Sequence, residues 1–183
     1  MKKGSIVVIS GPSGVGKGTI VKELLKITSD FSLSVSSTTR KPRSGEENGR
    51  EYWFLSKDEF LEGIKNNEFV EFAQFAGNYY GTRISNIENS INSGKNIILE
   101  IEVQGAMQIK KKFPSSKLIF IMPPNIEELK NRLVSRNTDS EEAINLRLAQ
   151  VDRELKEAEK FDKRVVNDNL DKAVMEIVNI LSL

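Results

Sequence analysis

Ser5-Ile6-Val7-Val8-Ile9-Ser10-Gly11-Pro12-Ser13-Gly14-Val15-Gly16-Lys17-Gly18-Thr19 is where the reading starts. Ser5 to Ser10 is a short apolar run rich in Ile and Val, the pattern of a strand buried on both faces of a parallel sheet. From Lys17 to Ile27, the residues Ile20, Val21, Leu24, Leu25 and Ile27 recur on one side of a helix. The loop between them has the spacing G-x-x-x-x-G-K. Glycines there let the backbone curl so that its N–H groups converge on phosphate oxygens, and the helix N-terminus adds partial positive charge. Lys17 supplies a mobile full charge for the β- and γ-phosphates of a nucleotide. One position departs from the pattern. Gly18 stands where Ser or Thr usually ligates magnesium, and Thr19 comes one residue later, about 100° round the helix. The metal is therefore expected to be held by phosphates, water and outer-shell carboxylates.

Further apolar runs lie at Phe31–Ser36, Asn96–Val103, Lys117–Met122 and Arg164–Val166. Helical patterns separate them. Ser56 and Glu59 form a capping box ahead of Phe60, Leu61 and Ile64, and Ile84, Ile87 and Ile91 make a stripe that stops at Gly94. Ile126–Arg136, Ser140–Lys160 and Leu170–Leu181 are also periodic at helical spacing. Strand and helix alternate, which predicts an α/β fold with a parallel sheet flanked by helices. Two stretches break the rhythm. Thr38–Gly81 is polar and aromatic and is expected to form short antiparallel strands; Pro123–Gln150 is helical and Arg-rich. Inserts at the carboxyl ends of parallel strands are where such folds bind ligands.

At 183 residues the chain is one domain by length. Its content of 38% hydrophobic and 29% charged residues argues against a disordered chain. With no cysteine, it has no disulfide, no thiolate metal site and no Cys nucleophile; with no histidine, it has no Ser-His-Asp triad. Lys and Arg total 27 against 26 Asp and Glu, so no bulk attraction to nucleic acid is expected. No apolar run reaches the roughly 20 residues of a membrane span. Met1-Lys2-Lys3 is too short and polar to open a secretory signal, and a cytoplasmic protein is the expectation.

A second anion site is expected at Ser36-Ser37-Thr38-Thr39-Arg40-Lys41-Pro42-Arg43, followed by Arg50 and Tyr52. Arginine binds phosphate bidentately, and here arginines are interleaved with hydroxyls. Taken with three other stretches, this loop resembles guanylate kinases of the bacterial and yeast type. The four are GPSGVGKGT (11–19), SSTTRKPRSGEENGREY (36–52), NNEFVEFAQFAGNYYGT (66–82) and LEIEVQGA (99–106). The resemblance implies the P-loop kinase fold, with core 1–35, 94–122 and 151–183, a GMP-binding insert 36–93 and a helical lid 123–150. It implies transfer of the ATP γ-phosphate to GMP, and to dGMP, in purine nucleotide recycling, with Mg²⁺.

By that resemblance Gly11, Pro12, Ser13, Gly14, Val15, Gly16, Lys17, Gly18 and Thr19 bind ATP. Arg40, Arg43, Tyr52 and Tyr80 hold the GMP phosphate, while Ser36, Glu71 and Thr82 read guanine. Lys17, Arg132, Arg136 and Arg147 stabilise charge on the transferred phosphoryl group. Physical chemistry supports Glu71 separately, because guanine presents parallel N1–H and N2–H donors that a carboxylate accepts together, whereas adenine N1 is an acceptor. Ser and Thr hydroxyls can donate to guanine O6. Glu102 stands where the family usually has Asp, and Asn137 where it prefers Gly. Glu100 and Glu102, two apart on an expected strand, share a face. Glu102 is assigned to GMP, and Glu100 is the candidate to reach magnesium through water. Asn167-Asp168 is either an adenine-side turn or the N-cap of the last helix. Two other readings stay open: a non-catalytic guanylate-kinase-like module that binds proteins, and a P-loop kinase for another phosphorylated acceptor. The oligomeric state is undetermined.

Overall fold

The computed structural model describes residues 3–135 and 141–181. Its elements are β1 (Ile6–Ser10), α1 (Lys17–Ile27), β2 (Phe31–Leu33), β3 (Ser37–Thr38), β4 (Trp53–Phe54), α2 (Lys57–Lys65), β5 (Phe69–Phe75), β6 (Asn78–Arg83), α3 (Ile84–Asn92), β7 (Asn96–Glu100), α4 (Val103–Lys112), β8 (Lys117–Met122), α5 (Ile126–Ser135), α6 (Glu141–Glu157), β9 (Lys163–Val166) and α7 (Leu170–Leu181). The five-stranded sheet has the order β2-β7-β1-β8-β9, and a four-stranded sheet has the order β4-β3-β6-β5. β1 is buried along its whole length, as its unbroken apolar sequence requires. The chain divides into two compact units, one comprising residues up to Val8 with Asp30–Ser116, the other Ile9–Ser29 with Lys117 onward.

In the first unit β2 runs parallel to β7, pairing Phe31 with Asn96 and Leu33 with Ile98. Ile97, Ile98 and Leu99 are buried, each worth roughly 1.5–3 kcal/mol in apolar transfer. The α3 stripe ends in a Schellman motif. Gly94 takes φ +79°, its N–H donates to Ile91, and the N–H of Lys95 donates to Ser90. At α2 the Ser56–Glu59 capping box forms as expected.

The small sheet is mixed. β6 runs antiparallel to both β3 and β5, but β3 and β4 are parallel, which corrects the expectation of antiparallel strands throughout. Between β5 and β6 the two-residue turn Ala76-Gly77 has φ of +47° and +78°, the signs of the type I′ turn that suits hairpin twist. Near the start of β5 the register slips: Phe69 pairs with Arg83 and Glu71 with Thr82, so Val70 is an extra residue in a bulge.

Two further expectations give way. The run Asn96–Val103 is not all strand: β7 stops at Glu100, and Glu102 is the N-cap of α4. The alternation that put Glu100 and Glu102 on one strand face therefore does not hold. α4 itself escaped notice because its buried face is Val103, Gly105, Ala106 and Ile109, half of it glycine and alanine.

In the second unit β8 buries Leu118 to Ile121 and pairs in parallel with β9, Ile119 opposite Lys163 and Met122 opposite Val166. α1 buries Ile20, Val21 and Leu24 and packs on α7, which buries Ala173, Val174, Ile177 and Val178. Ile27, expected on the buried stripe, is 55% exposed at the last position of α1.

Candidate functional site

In the second unit the chain leaves β1 at the fully buried Ser10 and curls through Gly11, Gly14 and Gly16, with φ of +147°, +85° and +98°. Side-chain-bearing residues rarely adopt these angles. At Gly11 the space is also gone, since a Cβ there would run into the carbonyl oxygen of Ile121. Gly16 is the N-cap of α1, so the unpaired N–H groups of the first helical turn belong to the loop's end. Lys17 folds back over the loop, its Nζ donating to the carbonyls of Gly11 at 2.6 Å and Pro12 at 3.3 Å. Its charge thus rests above the loop backbone. Gly18 and Thr19 are exposed on the same turn.

A residue from the far end of the chain braces this loop. Asn167 is buried, and its Nδ2 donates to the carbonyl of Val15 at 2.8 Å while its N–H donates to Met122 at 2.9 Å. The amide lies where a side chain at Gly16 would point, 2.7 Å from a Cβ built there. The cap of α7 is neither Asn167 nor Asp168 but Asn169, whose Oδ1 accepts from the N–H of Lys172 at 3.0 Å.

The first unit carries the cationic loop and the buried carboxylate. After β3 the hydroxyl of Thr38 donates to the carbonyl of Tyr79 at 2.9 Å and accepts from the N–H of Arg40 at 3.1 Å. Thr39 Oγ1 accepts from the N–H of Tyr79 at 2.9 Å. These bonds tie the root of the Arg40 loop to β6. The Arg40 guanidinium meets Glu46 at 2.9 Å and lies 5.5 Å from the centre of the Tyr52 ring. Glu46 also accepts from the N–H of Arg43 at 2.7 Å. Its bond to Arg40 holds the Glu46 carboxyl below its usual range, against the opposing effect of burial. Tyr52 and Tyr80 meet edge to face at 6.0 Å. Burial pushes the Tyr52 phenol up, with the Glu100 carboxylate and Tyr80 adding to the effect. Arg40, Tyr52 and Tyr80 thus form one group, and Arg43 joins it through Glu46.

Glu71 is 3% exposed. Thr82, opposite it across the hairpin, donates its hydroxyl to Oε1 at 2.6 Å. No cation pairs with Glu71 among the described residues. Burial pushes its carboxyl up to about 7; the hydroxyl and N–H of Thr82 pull the other way, and nearby Glu102 adds to the rise. The single proton of the Thr82 hydroxyl is spent on Glu71, and Ser36 is buried just before β3. Glu102 Oε2 is buried with no hydrogen-bond partner among the described residues. Glu100 is half-buried at the end of β7.

Arg136 lies outside the described residues, as do the side chains of Arg132 on α5 and Arg147 on α6. Glu46 was not singled out in the sequence, where the only signal in its arginine-rich loop was an acidic pair, and Asn167 was singled out for a turn or a cap rather than for its contact with Val15, which spans 152 residues. Among the described residues no three acidic side chains gather into a metal cluster, and no helix is long and apolar enough to cross a membrane.

Residues 3–183 match the guanylate kinase family model. The chain belongs to the guanylate kinase family. A guanylate kinase of Synechocystis sp. is 51% identical over 179 residues, covering 98% of this chain and 94% of its own. One of Clostridium tetani is 48% identical over 182 residues, covering 100% and 87%. The crystal structure of guanylate kinase from Anaplasma phagocytophilum superposes with a TM-score of 0.82 at 33% identity, covering 100% of this chain and 86% of that one. A shikimate kinase from Bacteroides thetaiotaomicron, 13% identical, superposes with a TM-score of 0.53 and bears on the fold alone. The family's α/β fold, with its parallel five-stranded sheet, is the one the strand and helix alternation predicts.

Proposed function

We propose that the protein transfers the γ-phosphate of ATP to GMP, giving ADP and GDP. The observation that carries the reading is Glu71, a buried carboxylate without a counter-ion among the described residues, held by Thr82 in the same compact unit as the Arg40 cluster. A carboxylate in that setting is stabilised by a ligand that brings two parallel N–H donors, which guanine does and adenine does not. In this reading Glu71, Ser36, Thr82 and Glu102 line the base, and Arg40, Arg43, Tyr52 and Tyr80 take the phosphate of GMP. Residues Gly11 to Thr19 take the phosphates of ATP.

Phosphoryl transfer asks the protein for positioning and charge neutralisation rather than covalent chemistry. Lys17, with Arg132, Arg136 and Arg147, is assigned the charge that develops on the moving phosphoryl group. The GMP phosphate oxygen is already ionised, so no general base is needed. Segment 36–93 then serves as the GMP-binding insert and 123–150 as the lid on a core of 1–35, 94–122 and 151–183. Mg²⁺ fits a loop with Gly18 after Lys17, and no carboxylate cluster among the described residues, only if phosphates and water supply most of its ligands. Bound in this way it neutralises phosphate charge. We assign it no direct protein ligand, with Glu100 as the carboxylate to reach it through water. A cytoplasmic location accords with this function.

The test is ADP release measured with GMP, dGMP, AMP, CMP and UMP side by side. GMP should exceed AMP by on the order of 10⁴ in kcat/KM, because a site built for substrate donors rejects an analogue that lacks them. Equal turnover of GMP and AMP would overturn the reading.

A further inference from the structure

We infer that helix α4 is a working part of base selection, with Gly105 and Gln108 as positioning residues for Glu71; the inference rests on the GMP reading above. Two contacts carry it. Gly105 stands in the first turn of α4 with the Glu71 carboxyl lying against its bare Cα: a Cβ built there would overlap Glu71 Oε2 and lie 2.9 Å from Cδ. Gln108, one turn on, grips the backbone of Phe72, the residue after Glu71. Its Nε2 donates to the carbonyl of Phe72 at 2.8 Å, and its Oε1 accepts from the N–H at 3.3 Å.

Both contacts answer a local need. β5 is an edge strand, so Phe72 has no neighbouring strand on its outer side, and the Gln108 amide supplies the donor and acceptor such a strand would bring. The bulge at Val70 breaks the ladder to β6 just before Glu71, so pairing with β6 alone fixes that stretch less firmly. Thr82 holds Oε1 from one side, while Gly105 admits Oε2 on the other. A carboxylate that must meet two parallel donors needs its plane and position fixed together. Gly105 sets how far Glu71 can settle towards α4, and Gln108 sets the strand that carries it.

The experiment is steady-state kinetics on the full chain, with GMP, AMP and ATP each varied. Gly105→Ala should lower kcat/KM for GMP by about 10²-fold, the cost of a displacement of about 1 Å. The KM for ATP and the weak activity with AMP should not change. Gln108→Ala, which removes two backbone bonds on an exposed edge, should raise the KM for GMP about 5- to 10-fold. The decisive comparison is a double-mutant cycle. In a Glu71→Ala background Gly105→Ala should cost nothing further with GMP, because the group it displaces is gone. An equal loss from Gly105→Ala in both backgrounds would overturn the inference, as would an unchanged KM for GMP in Gln108→Ala. Should Gly105→Ala fail to fold, Gln108→Ala decides alone. A wild-type protein that does not favour GMP over AMP removes the underlying reading and this inference with it.

Discussion

The Glu71 carboxyl makes a prediction that separates stability from activity. Its ordinary value of 4.5 rises to about 7 in the folded protein, mainly through burial. Between those values the folded state binds the proton more tightly than the unfolded chain. The stability contributed by the protonated group is fully present below 4.5 and is lost as pH rises through about 7. Between pH 5 and pH 8 the loss should be about 2–3 kcal/mol, since each pH unit between the two values contributes about 1.4 kcal/mol. Glu71→Gln cannot ionise, so this part of the pH dependence disappears. Any fixed cost of the amide, such as a buried NH₂ left short of a partner, is the same at both pH values and cancels. Urea unfolding of both proteins without nucleotide, at pH 5 and pH 8, should show the variant gaining about 2–3 kcal/mol on the wild type across that interval. With GMP the ranking reverses. Guanine donors need the ionised carboxylate, so the wild-type KM for GMP should rise about tenfold per unit below pH 7, while the variant is weak and flat. A variant that tracks the wild type in stability at both pH values would refute the assignment of a raised, buried carboxyl to Glu71.

Three further outcomes are expected. Lys17→Met should fold normally, since the Lys17 amine hydrogen-bonds loop carbonyls, yet lose about 3–5 kcal/mol of transition-state stabilisation, read as kcat in the ADP-release assay; near-normal kcat would remove Lys17 from the chemistry. Asn167→Leu deletes the buried bond to Val15 and should raise the KM for ATP while leaving the affinity for GMP, measured by calorimetry, unchanged, with a stability loss of about 1–3 kcal/mol. Ala76→Asn places a residue suited to positive φ in the hairpin turn and should raise the thermal midpoint, by about 0.5–1 kcal/mol in free energy; a lower midpoint would mean that the turn is not limited by its backbone angles.

Parts of the molecule were legible from the sequence because local chemistry writes them there. The loop after β1 needs glycines at Gly11, Gly14 and Gly16 for its positive φ angles, and nothing distant can supply them. The Ser56–Glu59 box and the Gly94 stop are equally local. What stayed hidden depends on partners remote in sequence. The bulge at Val70 is a property of the pairing between β5 and β6, and no residue within β5 announces it. α4 hid because Gly105 and Ala106 are chosen for the space they leave, so its buried face carries little hydrophobic signal. In Asn96–Val103, Ile101 and Val103 continue the apolar alternation of β7, but the backbone turns at Glu102 to begin a helix, and Val103 is buried as part of that helix. Asn167 read as an adenine-side turn or a helix cap, while its partner, Val15, lies at the other end of the chain.

In the proposed reading, the two ends of the acceptor unit also differ in how they are prepared. At the phosphate end Arg40 is a cation already matched by Glu46, so a phosphate that takes Arg40 replaces one anionic partner with another. Such an exchange favours nucleoside monophosphates in general and cannot tell one base from another. At the base end Glu71 has no cation to match it among the described residues and ionises only at a cost set by burial. A surface glutamate would be satisfied by water with either base and would discriminate weakly. Buried Glu71 has Thr82 as a donor, and a ligand with two donors on one edge satisfies it further, whereas adenine leaves it desolvated with no added donor. Selectivity for guanine therefore grows with the same burial that lowers the stability of the empty protein above pH 7. A substitution that relieves the second should erode the first, which is why Glu71→Gln is expected to gain stability on the wild type as pH rises through about 7 and to be the poorer kinase.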